Sequence, residues 1–330
     1  MELVRALYEK MALMTRIYRA AVAVLLLAAL ALGARLLYVS HRNAQSRLAA
    51  ADVFYQLKAL ELDVAGLRAS APERRDVERR RREIEATYDE WLQRLGEMAH
   101  GDRDEQAIRA AVARLGEARV LVPDRFISDV RRRAAEWRRT PDFARALTVA
   151  AESGYPASIE SVLVSSHLPA DLVWVAYQES RFDIRAVGPP TRFGIAKGMW
   201  QMMPVTARAY GLRTGPLVGQ PRFDPADQRH QFALATQAAA RYIGDLYLLD
   251  AQGSGLLVMA CYNAGQSRVQ RLLHTLPATP RDRNFWQLLE RYRDEIPDET
   301  YGYVVGIVAA SAVAADPAAF GFASFPHVGS

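Results

Sequence analysis

An all-α architecture is what the 330-residue chain predicts, on three observations. Apolar residues recur at spacings of three and four along most of it, the period of a stripe down one helix face. Prolines and glycines stand mainly at the edges of those stripes, where helices start and stop. No strand-like alternation of any length and no internal repeat interrupts the pattern.

Half of the residues (50%) are hydrophobic, enough for a substantial core in one large domain or two ordinary ones. Lys and Arg number 42 against 37 Asp and Glu, a net charge of +5 that gives only a weak bias towards an anionic partner such as cell wall, phospholipid or nucleic acid. Cys261 is the single cysteine, which excludes an internal disulfide and a cysteine-based zinc site. It stands within an apolar helical pattern and reads as a buried, inert thiol.

The N-terminal region carries the longest apolar run, from Ala20 to Ala34, resuming at Leu36 to Val39 after Arg35. Counted from Ile17 to Val39 it is long enough to span a bilayer, with Arg19 and Arg35 snorkelling to the two interfaces and Tyr18 and Tyr38 as interfacial aromatics. A cleaved signal peptide is the alternative, since Ala29-Leu30-Ala31 resembles a small-x-small cleavage site, and a buried core helix is a third reading. The long polar stretch before the run, and its resumption beyond that site, favour an uncleaved signal anchor. Arg5, Lys10, Arg16 and Arg19 favour a cytoplasmic N-terminus, narrowly, because Arg42 and Arg47 follow closely. The expected order is a cytoplasmic segment at 1–16 and a transmembrane anchor in contact with the lipid bilayer at 17–39.

A helical stalk is expected over 40–121. Val53, Leu57, Leu60, Val64 and Leu67 form a heptad seam, Ser70-Ala71-Pro72 ends it, and a second helix carries Val77, Ile84, Tyr88, Trp91 and Leu95. An antiparallel hairpin and a dimeric coiled-coil stalk both fit, so self-association or a protein partner is expected here. Arg79 to Arg82 are closely flanked by Glu73, Asp76, Glu78, Glu83 and Glu85, which makes them a solvated, salt-bridged face and argues against nucleic acid as a partner. Beyond the break at His100-Gly101-Asp102, Ile108, Val112 and Leu115 mark a short helix. A helical lead-in over 122–166 follows, with Phe126 to Trp137 on one helix and a new start at Thr140-Pro141-Asp142.

The region 167–330 continues in the same way. Helices are expected from Pro169 through Tyr177, from Pro204 to Tyr210, after an Asp224-Pro225 cap, from Leu256 to Asn263, and from about Asp298 to Ala315. The last is apolar enough to resemble a membrane span, but its glycines and alanines suit tight packing in a globular core.

Glu179 is the carboxylate in which chemistry is expected. It ends an amphipathic helix among Trp174, Val175, Tyr177 and Phe182. The negative end of the helix dipole and an apolar pocket both raise a carboxyl pKa, as a general acid near neutral pH requires. A surface glutamate at a helix end is the plainer reading of the same facts. Three further segments bear on it: Gly198-Met199-Trp200-Gln201 before Pro204, Tyr262-Asn263-Ala264-Gly265, and Glu299-Thr300 ahead of Tyr303.

Together with the pair Glu179-Ser180, these segments resemble the soluble-type lytic transglycosylases, related in fold to goose-type lysozyme, from about Leu168 to Ala310. The Ala-Ala-Ala-Arg-Tyr-Ile stretch at 238–243 looks like their membrane-bound branch. The resemblance implies a lysozyme-like catalytic domain at 167–330 that cleaves peptidoglycan glycan strands between N-acetylmuramic acid and N-acetylglucosamine. It implies that Glu179 protonates the glycosidic oxygen and then takes a proton from the muramic 6-hydroxyl, closing a 1,6-anhydro ring. It further implies that Tyr262 hydrogen-bonds near Glu179, that Gln201 and Asn263 contact the sugars, and that Ser180, Ala264, Glu299 and Tyr303 belong to the substrate-binding set. Glu299 reads equally well as a carboxylate favoured by a helix N-terminus. No metal and no organic cofactor is expected. A catalytic domain of this kind must face the wall, which implies a single-pass protein of the bacterial inner membrane with that domain on the periplasmic side. A hydrolytic muramidase and a non-catalytic wall-binding scaffold of a secretion or division complex are the alternatives. The stretch from Gly188 to Lys197 departs from the family pattern: it is longer than usual, lacks a substrate-contacting serine unless Thr191 replaces it, and adds Arg192 and Lys197 as candidates for binding peptide or lactyl carboxylates.

Overall fold

The computed structural model describes residues 35, 38, 41, 42, 44–59, 62, 83, 86, 90 and 101–323. The expected anchor at 17–39 therefore lies outside the described residues, apart from Arg35 and Tyr38, and so does most of the expected second stalk helix with its Arg79 to Arg82 run. Among the described residues no helix is long and apolar enough to cross a membrane. The chain divides into two units, Met1–Ala49 and Ala50–Ser330. In the first, residues 44–49 are helical.

The second unit begins with a helical stretch over 50–59. Its buried face is Ala50, Ala51, Tyr55 and Lys58, while Val53 and Leu57 of the expected seam are only half-buried. Ala50, Ala51 and Tyr55 pack on Ala118 and Val120. The same face meets a buried polar knot. Glu117, fully inaccessible, accepts hydrogen bonds from Ser254 Oγ, from the Phe285 amide at 3.0 Å and from the Tyr55 hydroxyl at 3.2 Å. Burial pushes its carboxyl above the usual range, against the opposing pull of those donors. Lys58 Nζ donates to the Tyr247 hydroxyl at 3.0 Å.

Eleven α-helices follow among the described residues, numbered here in chain order: α1 Arg103–Arg114, α2 Asp124–Trp137, α3 Asp142–Ser153, α4 Tyr155–Ser165, α5 Val173–Ser180, α6 Pro204–Ala209, α7 Phe232–Asp245, α8 Gly255–Ala264, α9 Gln266–Leu273, α10 Phe285–Tyr292 and α11 Asp298–Ala315. The expected all-α reading of this region holds with one exception, a two-stranded antiparallel hairpin of β1 Val187–Thr191 and β2 Gly194–Lys197. Pro189 and Pro190 hid it: proline lacks the ladder donor, and such a run reads as a loop. A strand with only one neighbour tolerates them.

Helix α11 is the axis of the unit. From Val304 to Val313 nearly every side chain is buried, Ile307 and Val308 completely. Burial of each such aliphatic side chain stabilises the fold by roughly 1.5–3 kcal/mol. Its small residues let neighbours come close. A Cβ at Gly306 would stand 2.7 Å from Gln178 Oε1, so the Gln178 side chain of α5 occupies the space that this glycine leaves open.

Two boundaries differ from expectation. Helix α3 starts at Asp142, with Pro141 in the capping position and no side-chain cap from Thr140. Asp224-Pro225 does not cap a helix: α7 starts only at Phe232, and the Asp224 carboxylate instead accepts from the Leu217 and Ala226 amides at 2.8 and 3.1 Å, closing the preceding loop. Asp and Asn favour such local bonds in turns as readily as at caps.

Candidate active site

Glu179 lies in the last turn of α5. That helix ends without a glycine. Arg181 and Phe182 both adopt left-handed backbone angles, φ 56° and 65°, and the Arg181 amide returns to the Tyr177 carbonyl at 2.7 Å. The reversal folds Phe182 back onto α5, where its ring lies 6.0 Å from Tyr177 and 6.4 Å from Trp174. The aromatic side chains that feel the Glu179 carboxylate are instead Tyr262 and Tyr303.

Although the Glu179 residue as a whole is half-buried, its carboxyl has lost enough water to be pushed up to about 7 from a usual value of 4.5. Desolvation is the main cause, and a hydrogen bond from Tyr303 opposes it. That bond is 2.6 Å, from the Tyr303 hydroxyl to Glu179 Oε1. Tyr303 is itself buried in the first turns of α11, three residues before the close approach at Gly306. Its hydroxyl is pushed well above its ordinary value by burial and by the neighbouring carboxylate, so it stays a donor.

The segment from Gly198 to Gln201 is held against this site from several sides. Gly198 has φ +77°, and a Cβ there would stand 1.7 Å from the Arg229 carbonyl oxygen. Ser180 Oγ donates to the Met199 carbonyl at 2.7 Å, tying the end of α5 to the segment. The Tyr262 hydroxyl donates to the Trp200 carbonyl at 2.7 Å, and Trp200 Nε1 to Thr236 on α7 at 3.2 Å. Gln201 has φ 43°, and its Nε2 donates to the Gly198 carbonyl at 2.7 Å. Of the five non-glycine residues with positive φ among the described residues, Arg181, Phe182 and Gln201 flank this one site. Strained backbone concentrated in this way is the mark of a functional surface held by its surroundings.

Beneath the segment lies a buried ion pair that sequence reasoning missed. Arg229, 1% exposed, reaches Asp227 with Nη2 at 2.7 Å and donates from Nη1 to the carbonyls of Ile195 and Met202 at 2.7 and 3.0 Å. It is the post around which the hairpin and the Gly198 turn wrap. The available signal was an Asp-x-Arg pair outside any helical stripe, in a stretch rich in proline and turn residues.

The expected site residues fall into two groups. Glu179, Ser180, Gln201, Tyr262 and Tyr303 converge, with one change of partner: Tyr303, not Tyr262, carries the hydrogen bond to the carboxylate. Asn263, in the last turn of α8, accepts from Thr300 Oγ1 at 2.8 Å. Ala264 lines a groove beside the site. Glu299 lies exposed in the first turn of α11, away from these contacts. Two candidates in the hairpin are corrected. Lys197 is fully buried, and its ammonium donates to the Leu217 and Arg222 carbonyls at 2.7 and 2.9 Å, so it cannot reach a ligand. Thr191 closes the hairpin turn, donating to the Gly194 carbonyl at 2.7 Å, and does not stand in for a serine near Glu179. Met199, Trp200 and Met202 are buried, and Met203 is half-buried.

A mainly helical domain that keeps one desolvated carboxyl hydrogen-bonded to a buried tyrosine has the parts of a general acid site. Residues 158–283 match the family model described as Transglycosylase SLT domain. Over 182 residues the chain is 30% identical to the membrane-bound lytic murein transglycosylase D of Escherichia coli K12, and the same figures hold for the protein of that name from Escherichia coli O6:H1. The aligned part covers 55% of this chain and 36% of each relative, so the chain spans about a third of the length of the curated relatives it matches. Tyr303 lies beyond the end of the matched segment.

Proposed function

We propose that this protein is a membrane-anchored peptidoglycan lytic transglycosylase that uses Glu179 as general acid and then as base. The observation that carries the reading is the Glu179 carboxyl, raised to about 7 within the family-matched segment. A carboxyl with that pKa is substantially protonated at neutral pH and can give its proton to the glycosidic oxygen as the bond from muramic C1 breaks. The carboxylate so formed accepts the proton of the muramic 6-hydroxyl while that oxygen bonds to C1. The proton is thereby returned, and a 1,6-anhydro ring results. No second carboxylate is required, because the nucleophile belongs to the substrate, whereas a hydrolytic glycosidase ordinarily needs one for water or for a covalent intermediate.

In this reading Tyr303 positions the carboxylate, and Ser180 and Tyr262 hold the Met199 and Trp200 carbonyls that shape the cleft. Gln201, Asn263 and Ala264 face the sugars, and Glu299 binds further along the strand. The 17–39 segment would anchor the protein in the bacterial inner membrane with this domain on the periplasmic side, and the membrane-bound character of the relatives supports that placement.

Mass spectrometry of sacculus digests tests the reaction. Wild-type protein should release 1,6-anhydro-muropeptides, and Glu179→Gln should release none while still folding and binding wall. Reducing-end products would identify a hydrolase, and undiminished release by Glu179→Gln would remove the central role given to this carboxylate.

A further inference from the structure

A broad groove lies immediately beyond the Tyr262 to Gly265 segment. It has a volume of about 990 Å³ and is lined from one side by the hairpin turn and from the other by α9. Its lining includes Ala264 and Tyr242, whose ring lies 5.3 Å from that of Tyr262, the residue that holds the Trp200 carbonyl at the Glu179 site. Three guanidinium groups line it: Arg192 from the hairpin, Arg268 and Arg271 from α9. All three residues are exposed. Against them stands one acidic lining residue, Glu295.

Their arrangement is not that of a solvated charge run. Arg192 stands at the hairpin turn with its guanidinium 4.6 Å from the centre of the Phe193 ring. Arg268 Nη2 donates to the backbone carbonyl of Glu295 at 3.2 Å, which orients it and leaves its other donors to the groove. The amino-terminal turn of α9, Gln266 and Ser267, also faces the groove and adds the positive end of a helix dipole. Planar, oriented guanidinium forks on two separate elements suit carboxylates held between them.

We propose that this groove binds the carboxylates of the peptide stems attached to the glycan strand. The inference rests on the reading of the domain as a glycan-strand-cleaving enzyme and names what else of the strand it recognises. A strand lying along the Glu179 site projects a stem from each muramic acid, and those stems carry several free carboxylates.

Binding measurements on Glu179→Gln protein, which holds strands uncleaved, test the proposal with three soluble ligands: strands with native stems, strands whose stem carboxylates are amidated, and strands freed of stems that keep only the lactyl carboxylate. Native stems should bind about tenfold more tightly than amidated ones. Adding Arg192→Gln and Arg271→Gln together, both at exposed positions, should collapse that ratio to about one to two. A ratio near one before the arginines are changed, or one unmoved by changing them, overturns the proposal. Stem-free strands that bind as tightly as native ones overturn it too, in favour of the lactyl carboxylate. Wild-type protein that releases nothing from sacculi, alongside an arginine-dependent ratio, would instead remove the proposed reaction and leave the groove's preference standing.

Discussion

The Tyr303 hydroxyl and Glu179 Oε1, 124 residues apart in the chain, stand 2.6 Å apart in the fold. Gly306, one turn further along α11, lies against the side chain of Gln178, the residue before Glu179. Tyr303 donates to the ionised carboxylate and so opposes the rise in its pKa that burial causes.

Replacing Tyr303 by phenylalanine removes that opposition. The alkaline limb of kcat/KM, set by protonated Glu179 near pH 7, should move to higher pH, and the plateau should fall about tenfold as the carboxylate loses its orientation. A pH–rate profile on soluble glycan strands measures both. A lowered plateau with an unmoved limb would show that the hydroxyl does not act on the carboxyl's ionisation.

The raised pKa of Glu179 also couples to stability. A carboxyl whose pKa rises from 4.5 in the unfolded chain to about 7 in the native one binds its proton more tightly when folded. Its contribution to stability is therefore fully present below pH 4.5 and is lost as pH rises through about 7. Glutamine does not titrate. Glu179→Gln should thus gain stability relative to wild type between pH 4 and pH 8, by up to about 3 kcal/mol. Denaturant unfolding of both proteins at the two pH values measures the gain; an equal difference at both would contradict a desolvated carboxyl.

Gly198→Ala should damage the site through the backbone. Its Cβ would stand 1.7 Å from the Arg229 carbonyl oxygen, at a φ of +77° that favours glycine. Neither the buried Arg229 nor the turn can yield without breaking bonds to Asp227, Ile195 and Met202. A loss of about 3 kcal/mol or more in unfolding free energy is expected, with activity falling more steeply than stability. Wild-type stability in this variant would show that the turn has room the structure does not provide.

Most of the helical order was legible in the sequence, because helices report themselves through local period and punctuation. Helix α11 runs over Asp298–Ala315, as its apolar pattern and flanking proline and aspartate indicate. Glu179, Gln201 and Tyr262 were legible as a set through their motifs. The hairpin at 187–197 was not, since two prolines erased its strand signal. Lys197 looked like a ligand-binding cation because sequence shows a charge without showing that backbone carbonyls enclose it.

By itself the sequence determined a helical chain with one carboxylate at a helix end in apolar company, beside the segments that accompany such a carboxylate in a glycan-cleaving family. Tertiary structure alone decided which tyrosine reaches that carboxylate, how far burial raises its pKa, and which arginines are free to meet a ligand. The reason is physical. Helix formation answers to neighbours three and four residues away, whereas desolvation and hydrogen-bond partnership depend on groups that folding brings from anywhere in the chain.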